Sequence, residues 1–415
     1  MKLSPEYIEF EDFPAFASFL YENELIGIAQ MANPIQDKNG KVLIQENAKL
    51  KGGMISKLET MHGQYEPIFH IKITFELVER LKSRFIESIY TRLDKDSVED
   101  MISMLFNSET ERTISYKGVI EHSLRDSFIV ISSYRLWREK KKYFSYSIES
   151  ALLSMGIAYS VEMPIKYLHR YAFLAGLFMD LALSENEYWK IPLQRDAQMM
   201  QLADFSSSLG RKIGLPSFVQ EAIRRHWIPG MYWGGGGPEE LELDMERISD
   251  HPFKLFQDKE IKEPEVEPEL VEYLIEILKI VRFLKETMKK VPDNENTSKT
   301  ILTMFAYNLE KKIFKEEIAE PFIKKFKTYE AIIDRMRAIA KIEKQCQYPP
   351  AAWAYPKPQA TQVLCKNNVE SCPFYERGWD LKIVSQQEAY GYVGTPLKPG
   401  NYPKCRLEKR LKELK

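Results

Sequence analysis

Cysteine is scarce and confined. The 415 residues contain four, Cys346, Cys365, Cys372 and Cys405, all within the last 70 positions. Everything before them lacks the thiols for a disulfide or a thiolate metal site, and in a reducing compartment disulfides are the weaker use even for these four. Charge of one sign is also missing: the net charge is −1, so no global field draws the chain to nucleic acid or an anionic membrane. No run approaches the roughly 18 uncharged apolar residues of a membrane span. The opening MKLSPEYIEF lacks the basic-then-apolar order of a secretory signal. A cytoplasmic location is the resulting expectation. There is no internal repeat and no long low-complexity tract.

What is present describes a globular chain with ample core: 44% hydrophobic and 29% charged residues, at a length expected to make two to four domains. The first part reads as a small α/β module over 1–70. Ile26–Ala32 is apolar, Asp37-Lys38-Asn39-Gly40 has tight-turn chemistry, and Lys41–Gln45 returns as a second strand. A helix is expected over Gly53–Met61. A helical connector follows over 71–142, starting with a long amphipathic helix at Ile71–Leu93, where Ile73, Leu77, Leu81, Phe85 and Ile89 recur at helical spacing. Further helices are expected near 97–107 and 116–137. The basic run Arg138–Lys142 reads as a solvated helix end, since a nucleic-acid patch would interleave aromatics and more bases.

From 143 to 330 the pattern is helix after helix: Tyr146–Val161, Ile165–Leu183, Gln198–Ile213, Ser217–Trp227 with Ser217 as its expected cap, then Glu269–Lys289, Lys299–Phe314 and Ile318–Lys325. A glycine run, Gly234–Gly237, and an acidic stretch interrupt it. Residues 239–270 hold twelve Asp/Glu against four Lys/Arg and read as an exposed, irregular insertion. Residues 331–415 comprise a helix over Tyr329–Gln345 and then a loop-rich, cysteine-bearing module.

One helix organises the middle of the chain. Between Tyr167 and Leu183 only His169, Arg170 and Asp180 are strongly polar, so the helix has no face for solvent and must be buried. An unpaired buried carboxylate is costly by several kcal/mol, roughly. Asp180 therefore needs a cation, a donor or a proton.

The order of segments around Asp180 resembles the HD superfamily, and within it the HD-GYP type of cyclic-di-GMP phosphodiesterase. Ala175-Gly176-Leu177-Phe178-Met179-Asp180 stands where that family has a small apolar run ending in His-Asp. Ala222-Ile223-Arg224-Arg225-His226-Trp227 stands where it has paired histidines. Gly230-Met231-Tyr232-Trp233 takes the place of the Gly-Tyr-Pro loop, Lys279-Ile280-Val281-Arg282 that of a helix carrying a metal-binding Asp, and Glu310–Phe326 that of the closing segment. Pro34-Ile35-Gln36-Asp37 and Gly40–Leu50 resemble a leader module found ahead of such domains.

The resemblance implies a site for two or three Fe or Mn ions about 4 Å apart, which polarise a phosphodiester and generate hydroxide. The departures from it are chemical. Met179 replaces the paired histidine, Tyr143–Ser150 has no histidine for the first ligand, Trp227 replaces a second histidine, and Arg282 replaces the late Asp. The lysine that usually follows is gone near Leu183. Asp180 and His226 alone keep ligand chemistry, and His169 is too far along the helix to join them, roughly 16 Å from Asp180. No catalytic residues and no Fe/Mn centre are expected. An Arg282–Asp180 ion pair is expected in their place, cation for cation. The plain alternative is that Asp180 bonds a neighbouring helix and His226 is an ordinary histidine.

The cysteine spacing, Cys346-x18-Cys365-x6-Cys372-x32-Cys405, allows one zinc ion or one [4Fe-4S] cluster on four thiolates. It lacks the paired knuckles of the strong zinc signature, and free thiols or a redox pair remain the alternative. The aromatics crowding this stretch are read as packing for a small core.

The expected fold is mostly α: an HD-like helical bundle, a small N-terminal α/β module and an irregular Cys-rich C-terminal module. The expected function is that of a catalytically inactive signalling or scaffold protein. Its partner would be a protein or a nucleotide ligand, with cyclic-di-GMP implied by resemblance only, and a homo-oligomer is compatible with it. The competing readings are a phosphohydrolase with an altered site, using Asp180 and His226 with Glu149 or Glu162, and an Fe–S or zinc redox or sensing protein.

Overall fold

The structure, a computed structural model, describes residues 2–4, 6–93, 116–161, 165, 167–184, 196–227, 266, 268–290 and 297–327. The chain divides into two compact units, 1–95 with 110–322 and 96–109 with 323–415. Of the second, only 323–327 is described. The cysteines, Glu162, the helices expected at 97–107 and 329–345, the glycine run and nearly all of the acidic stretch lie outside the described residues.

The first unit opens with a small antiparallel sheet. Strands β1 (Lys2–Leu3), β2 (Tyr7–Phe10) and β5 (Phe69–Lys72) lie in the order β1-β2-β5, while β3 (Ile35–Gln36) and β4 (Val42–Ile44) form a separate hairpin. Period-two burial explains β2 and β5: Ile8, Phe10, Phe69 and Ile71 turn inward. Above them packs α1 (Phe13–Glu22), started by Asp12, whose carboxylate accepts the Ala15 N–H at 2.7 Å. Phe16 of α1 stacks on Phe69, ring centroids 4.3 Å apart. Helix α2 (Gly52–Thr60) completes the module.

Two expectations are corrected here. The hairpin turn is where expected, but its first strand is Ile35–Gln36. Ile26–Ala32 contributes only isolated bridges, Gln30 to Lys49 and Met31 to Ile71. The helix expected from Ile71 begins at Phe75, because Ile71 belongs to β5, paired opposite Ile8. A module boundary after residue 70 would thus cut a strand.

The helices follow as α3 (Phe75–Leu93), α4 (Tyr116–Ser123), α5 (Ser127–Glu139), α6 (Lys141–Ala158), α7 (Leu168–Phe178), a 3₁₀ turn (Leu181–Leu183), α8 (Asp196–Lys212), α9 (Ser217–Arg225), α10 (Pro268–Lys290) and α11 (Thr297–Glu310); a further helix covers 316–327. The helix expected over 116–137 is broken at Leu124-Arg125, where Asp126 caps α5 by accepting from the Phe128 and Ile129 N–H groups. Pro216, not Ser217, occupies the cap position of α9. No helix among the described residues is long and apolar enough to cross a membrane.

Helix α7 is the buried axis. From Tyr171 to Leu183 every residue is buried, and His169 and Arg170 at its start are half-buried. Helix α6 approaches it closely at Gly176, where an added Cβ would stand 2.6 Å from the Ser150 carbonyl oxygen and 2.8 Å from the Ala151 Cα. Small residues at Ser150, Ala151 and Ser154 on α6 make that approach sterically allowed. The helices can therefore bring side chains from neighbouring turns into direct contact, and Tyr146, one turn before Ser150, reaches Asp180 at the end of α7.

Candidate functional site

Four segments meet at Asp180. Tyr146 comes from α6 and Arg282 from the middle of α10. His226 stands just past the end of α9, and Asp180 itself joins α7 to the 3₁₀ turn. Asp180, His226 and Arg282 are each at most 3% exposed. The Arg282 Nη2 group donates to Asp180 Oδ1 in a buried ion pair, and the Tyr146 hydroxyl donates to Oδ2 at 2.8 Å. The carboxylate thus receives both a cation and a neutral donor, as its burial requires.

The same guanidinium engages His226. Arg282 Nε and Nη2 lie 3.3 and 3.0 Å from His226 Nε2. Guanidinium nitrogens only donate, so Nε2 is the acceptor. The proton is then on Nδ1, which faces the Ile223 carbonyl. His226 is a neutral imidazole with its basic lone pair committed. Burial, reinforced by the Arg282 charge, pushes its pKa down to about 3. Burial works against ionised Asp180 too, but the charge and hydrogen bond of Arg282 outweigh it and hold the carboxyl below its ordinary value. For Arg282, burial is likewise outweighed, chiefly by Asp180, and the guanidinium is held charged more firmly than in water. Burial and the neighbouring Asp180 charge raise both Tyr143 and Tyr146 well above the usual phenol range.

The network continues outward along α10. Arg282 Nη1 lies 3.5 Å from Glu286, Lys289 lies 2.7 Å from the same carboxylate, and Lys285 lies 2.9 Å from Glu149 of α6. Arg282, Lys285 and Lys289 therefore face Asp180, Glu149 and Glu286, three cations against three carboxylates. The Lys285 and Lys289 ammonium groups stand 4.1 and 5.3 Å from the centre of the Tyr146 ring.

Of the residues singled out from sequence, Asp180, His226 and Arg282 are brought together, and the expected Arg282–Asp180 ion pair is present. Met179 is buried beside Asp180 in the chain, and half-buried Trp227 follows His226. Glu149, considered above as a spare carboxylate for a hydrolase, is paired with Lys285. His169 packs against Tyr159, ring centroids 4.2 Å apart. Tyr146, Glu286, Lys285 and Lys289 were missed. Their signal was available: polar residues at 282, 285, 286 and 289 recur at one-turn spacing within an otherwise apolar helix, which marks a buried charged stripe.

The residues do not fit the di-metal centre that the HD resemblance implies. A guanidinium occupies the point where the Asp180 carboxylate and the His226 lone pair converge, and a cation there excludes a second one. Among the described residues no three His, Cys, Asp or Glu side chains group as a metal site requires. No protein-family model, no curated protein and no solved structure matches the chain. The fold is that of a mostly helical protein with a small N-terminal antiparallel sheet.

Proposed function

We propose that the chain is a non-catalytic signalling or scaffold protein whose helical core is a retired relative of the HD-type phosphodiesterases. The observation that carries this reading is the position of Arg282. Its guanidinium neutralises Asp180 and takes the lone pair of His226, 3.0 Å away, which are the two groups that would otherwise hold a hard metal ion. An arginine is permanently charged and cannot serve as a base or a ligand. The core keeps the packing of such a site and loses its chemistry. What remains for it is recognition of a protein or a nucleotide, with a cyclic dinucleotide the ligand that the resemblance suggests. The four cysteines, holding zinc or a [4Fe-4S] cluster, would make the C-terminal module a metal-dependent partner surface or sensor.

Metal analysis of the full chain, with hydrolysis assays on cyclic-di-GMP and bis-(p-nitrophenyl) phosphate, tests this. The expected result is no hydrolysis, and no Fe or Mn that survives Cys365→Ser and Cys372→Ser. Two or more Fe or Mn per chain in that variant, with phosphodiester cleavage, would overturn it.

A further inference from the structure

The outer half of the charged stripe was not anticipated by any reading of Asp180. Lys285 and Lys289 are 8% and 10% exposed in their side chains, so two ammonium groups stand at the edge of the core over one aromatic ring. Their carboxylate partners are not equivalent. Glu286 is fully buried and shared with Arg282, so it is fixed from two sides. Glu149 is 34% exposed and meets Lys285 from the opposite helix. A carboxylate in that position can swing into water at little cost, since exposed ion pairs contribute about 0–1 kcal/mol. The ammonium it leaves cannot follow, because the Lys285 stem is buried beside the Tyr146 carbonyl, 3.5 Å away.

Deeper in, donors outnumber acceptors. Arg282 Nη1 and the Tyr143 hydroxyl are buried without a hydrogen-bond partner, and Tyr143 lies within the field of Asp180 and Arg282. A single carboxylate is a modest match for this set. A group with three or more oxygens and up to two negative charges is a better one, because charge-assisted hydrogen bonds to several donors reinforce each other.

We propose that α6 and α10 form a binding site for a phosphate group, free or on a small phosphorylated molecule, with Lys285 and Lys289 as its cationic contacts and Glu149 as the carboxylate it displaces. Glu149 acts as an internal competitor: it neutralises Lys285 when the site is unliganded and swings outward when a phosphate arrives. Tyr146 joins this site to the interior, since its ring underlies both ammonium groups and its hydroxyl holds Asp180. The site does not depend on the core being a retired hydrolase. Metal content and hydrolysis bear on that reading, whereas phosphate binding bears on this one.

Calorimetric titration of the full chain with inorganic phosphate, pyrophosphate and a nucleoside 5′-monophosphate tests the proposal. Glu149→Gln should tighten phosphate binding about tenfold, because the competitor has lost its charge. Lys289→Gln should weaken it about tenfold, and Lys285→Gln should do the same. Circular dichroism checks that each variant is folded, and Lys285→Arg, which keeps the charge and should retain binding, replaces Lys285→Gln if that variant is not. Equal affinity for phosphate and nucleotide would identify the free ion as the ligand, and tighter binding of the nucleotide would identify an ester. Unchanged or weaker binding in Glu149→Gln, or no saturable binding of any probe by either wild type or Glu149→Gln, would overturn the site. A purely structural Glu149–Lys285 pair predicts no gain of affinity on removing the carboxylate.

Discussion

Asp180 and Arg282 lie 102 positions apart in the chain and form one buried ion pair, with the second carboxylate oxygen held by Tyr146 at 2.8 Å. Both side chains are almost wholly removed from water. Such a pair adds little net stability over an apolar pair of equal volume, but breaking it strands a charge. Most consequences of the fold that can be tested follow from that asymmetry.

Arg282→Met should destabilise the protein by about 3–5 kcal/mol at neutral pH, because Asp180 is left buried without its cation. Asp180→Asn in the same chain should recover much of the loss, so the double variant is far more stable than the sum of the single changes predicts. Urea denaturation of the four proteins reads this coupling. Additive losses would mean that the pair is not energetically joined.

The ion pair also sets an acid limit. Arg282 holds the folded-state pKa of Asp180 below its ordinary value. Its contribution is therefore complete above the unfolded carboxyl pKa of about 3.9, and is lost as pH falls through the lower folded value. In Arg282→Met the sign reverses: burial without the cation raises the carboxyl, so the variant should gain on wild type as pH falls toward about 4.

His226 should impose a second slope at milder pH. Its imidazole stays neutral in the folded protein down to about pH 3, against 6.5 as an ordinary histidine. Between those values the unfolded chain binds the proton and the folded chain does not, so stability falls with falling pH, by up to about 1.4 kcal/mol per unit. His226→Gln removes that proton and should flatten the stability profile over this range. An equal slope in wild type and variant would show that His226 is protonated in the fold.

Tyr146→Phe removes one hydrogen bond to a buried carboxylate and should lower stability by about 1.5–3 kcal/mol. The ring stays, so the contact beneath Lys285 and Lys289 is kept. Thermal denaturation checks the size. A change well under 1 kcal/mol, roughly, would show that Asp180 finds another donor.

Gly176→Ala tests the helix contact that makes the cluster reachable. In an open helix this change is worth about 1 kcal/mol in the stabilising direction. Here the new methyl would press on the Ser150 carbonyl and the Ala151 Cα, and close upon Ser154 Oγ, so the expectation is a net loss of about 1–3 kcal/mol. Gly210→Ala should be milder, because what it meets is the flexible Leu215 side chain at 2.9 Å.

Helix positions were legible from sequence wherever one face is apolar. Leu77, Leu81, Phe85 and Ile89 turn inward from α3 as their spacing requires, and the buried α7 followed from its lack of any polar face. The errors fall where two periods overlap. Ile71 and Ile73 fit the start of a helix as well as the end of a strand, and pairing with β2, a non-local event, decided for the strand at Ile71.

The site was half legible. A lone carboxylate in an apolar helix demands a partner, and the segment order pointed to Arg282. Tyr146 and the Lys285–Glu149 and Lys289–Glu286 pairs were not read, because their meaning lies in which helix faces which.

By itself, then, the sequence determined that the middle of the chain is a helical core, that α7 lies inside it, and that Asp180 cannot be there alone. Burial follows from composition on a helical lattice, and an isolated charge is excluded by solvation energy wherever the helix goes. The tertiary structure decided which groups answer that demand. Close contact at Gly176 sets α6 against α7, α10 then brings its charged stripe to the gap, and Arg282 reaches both Asp180 and His226. No local pattern encodes those distances, because they depend on helix crossings between residues far apart in the chain.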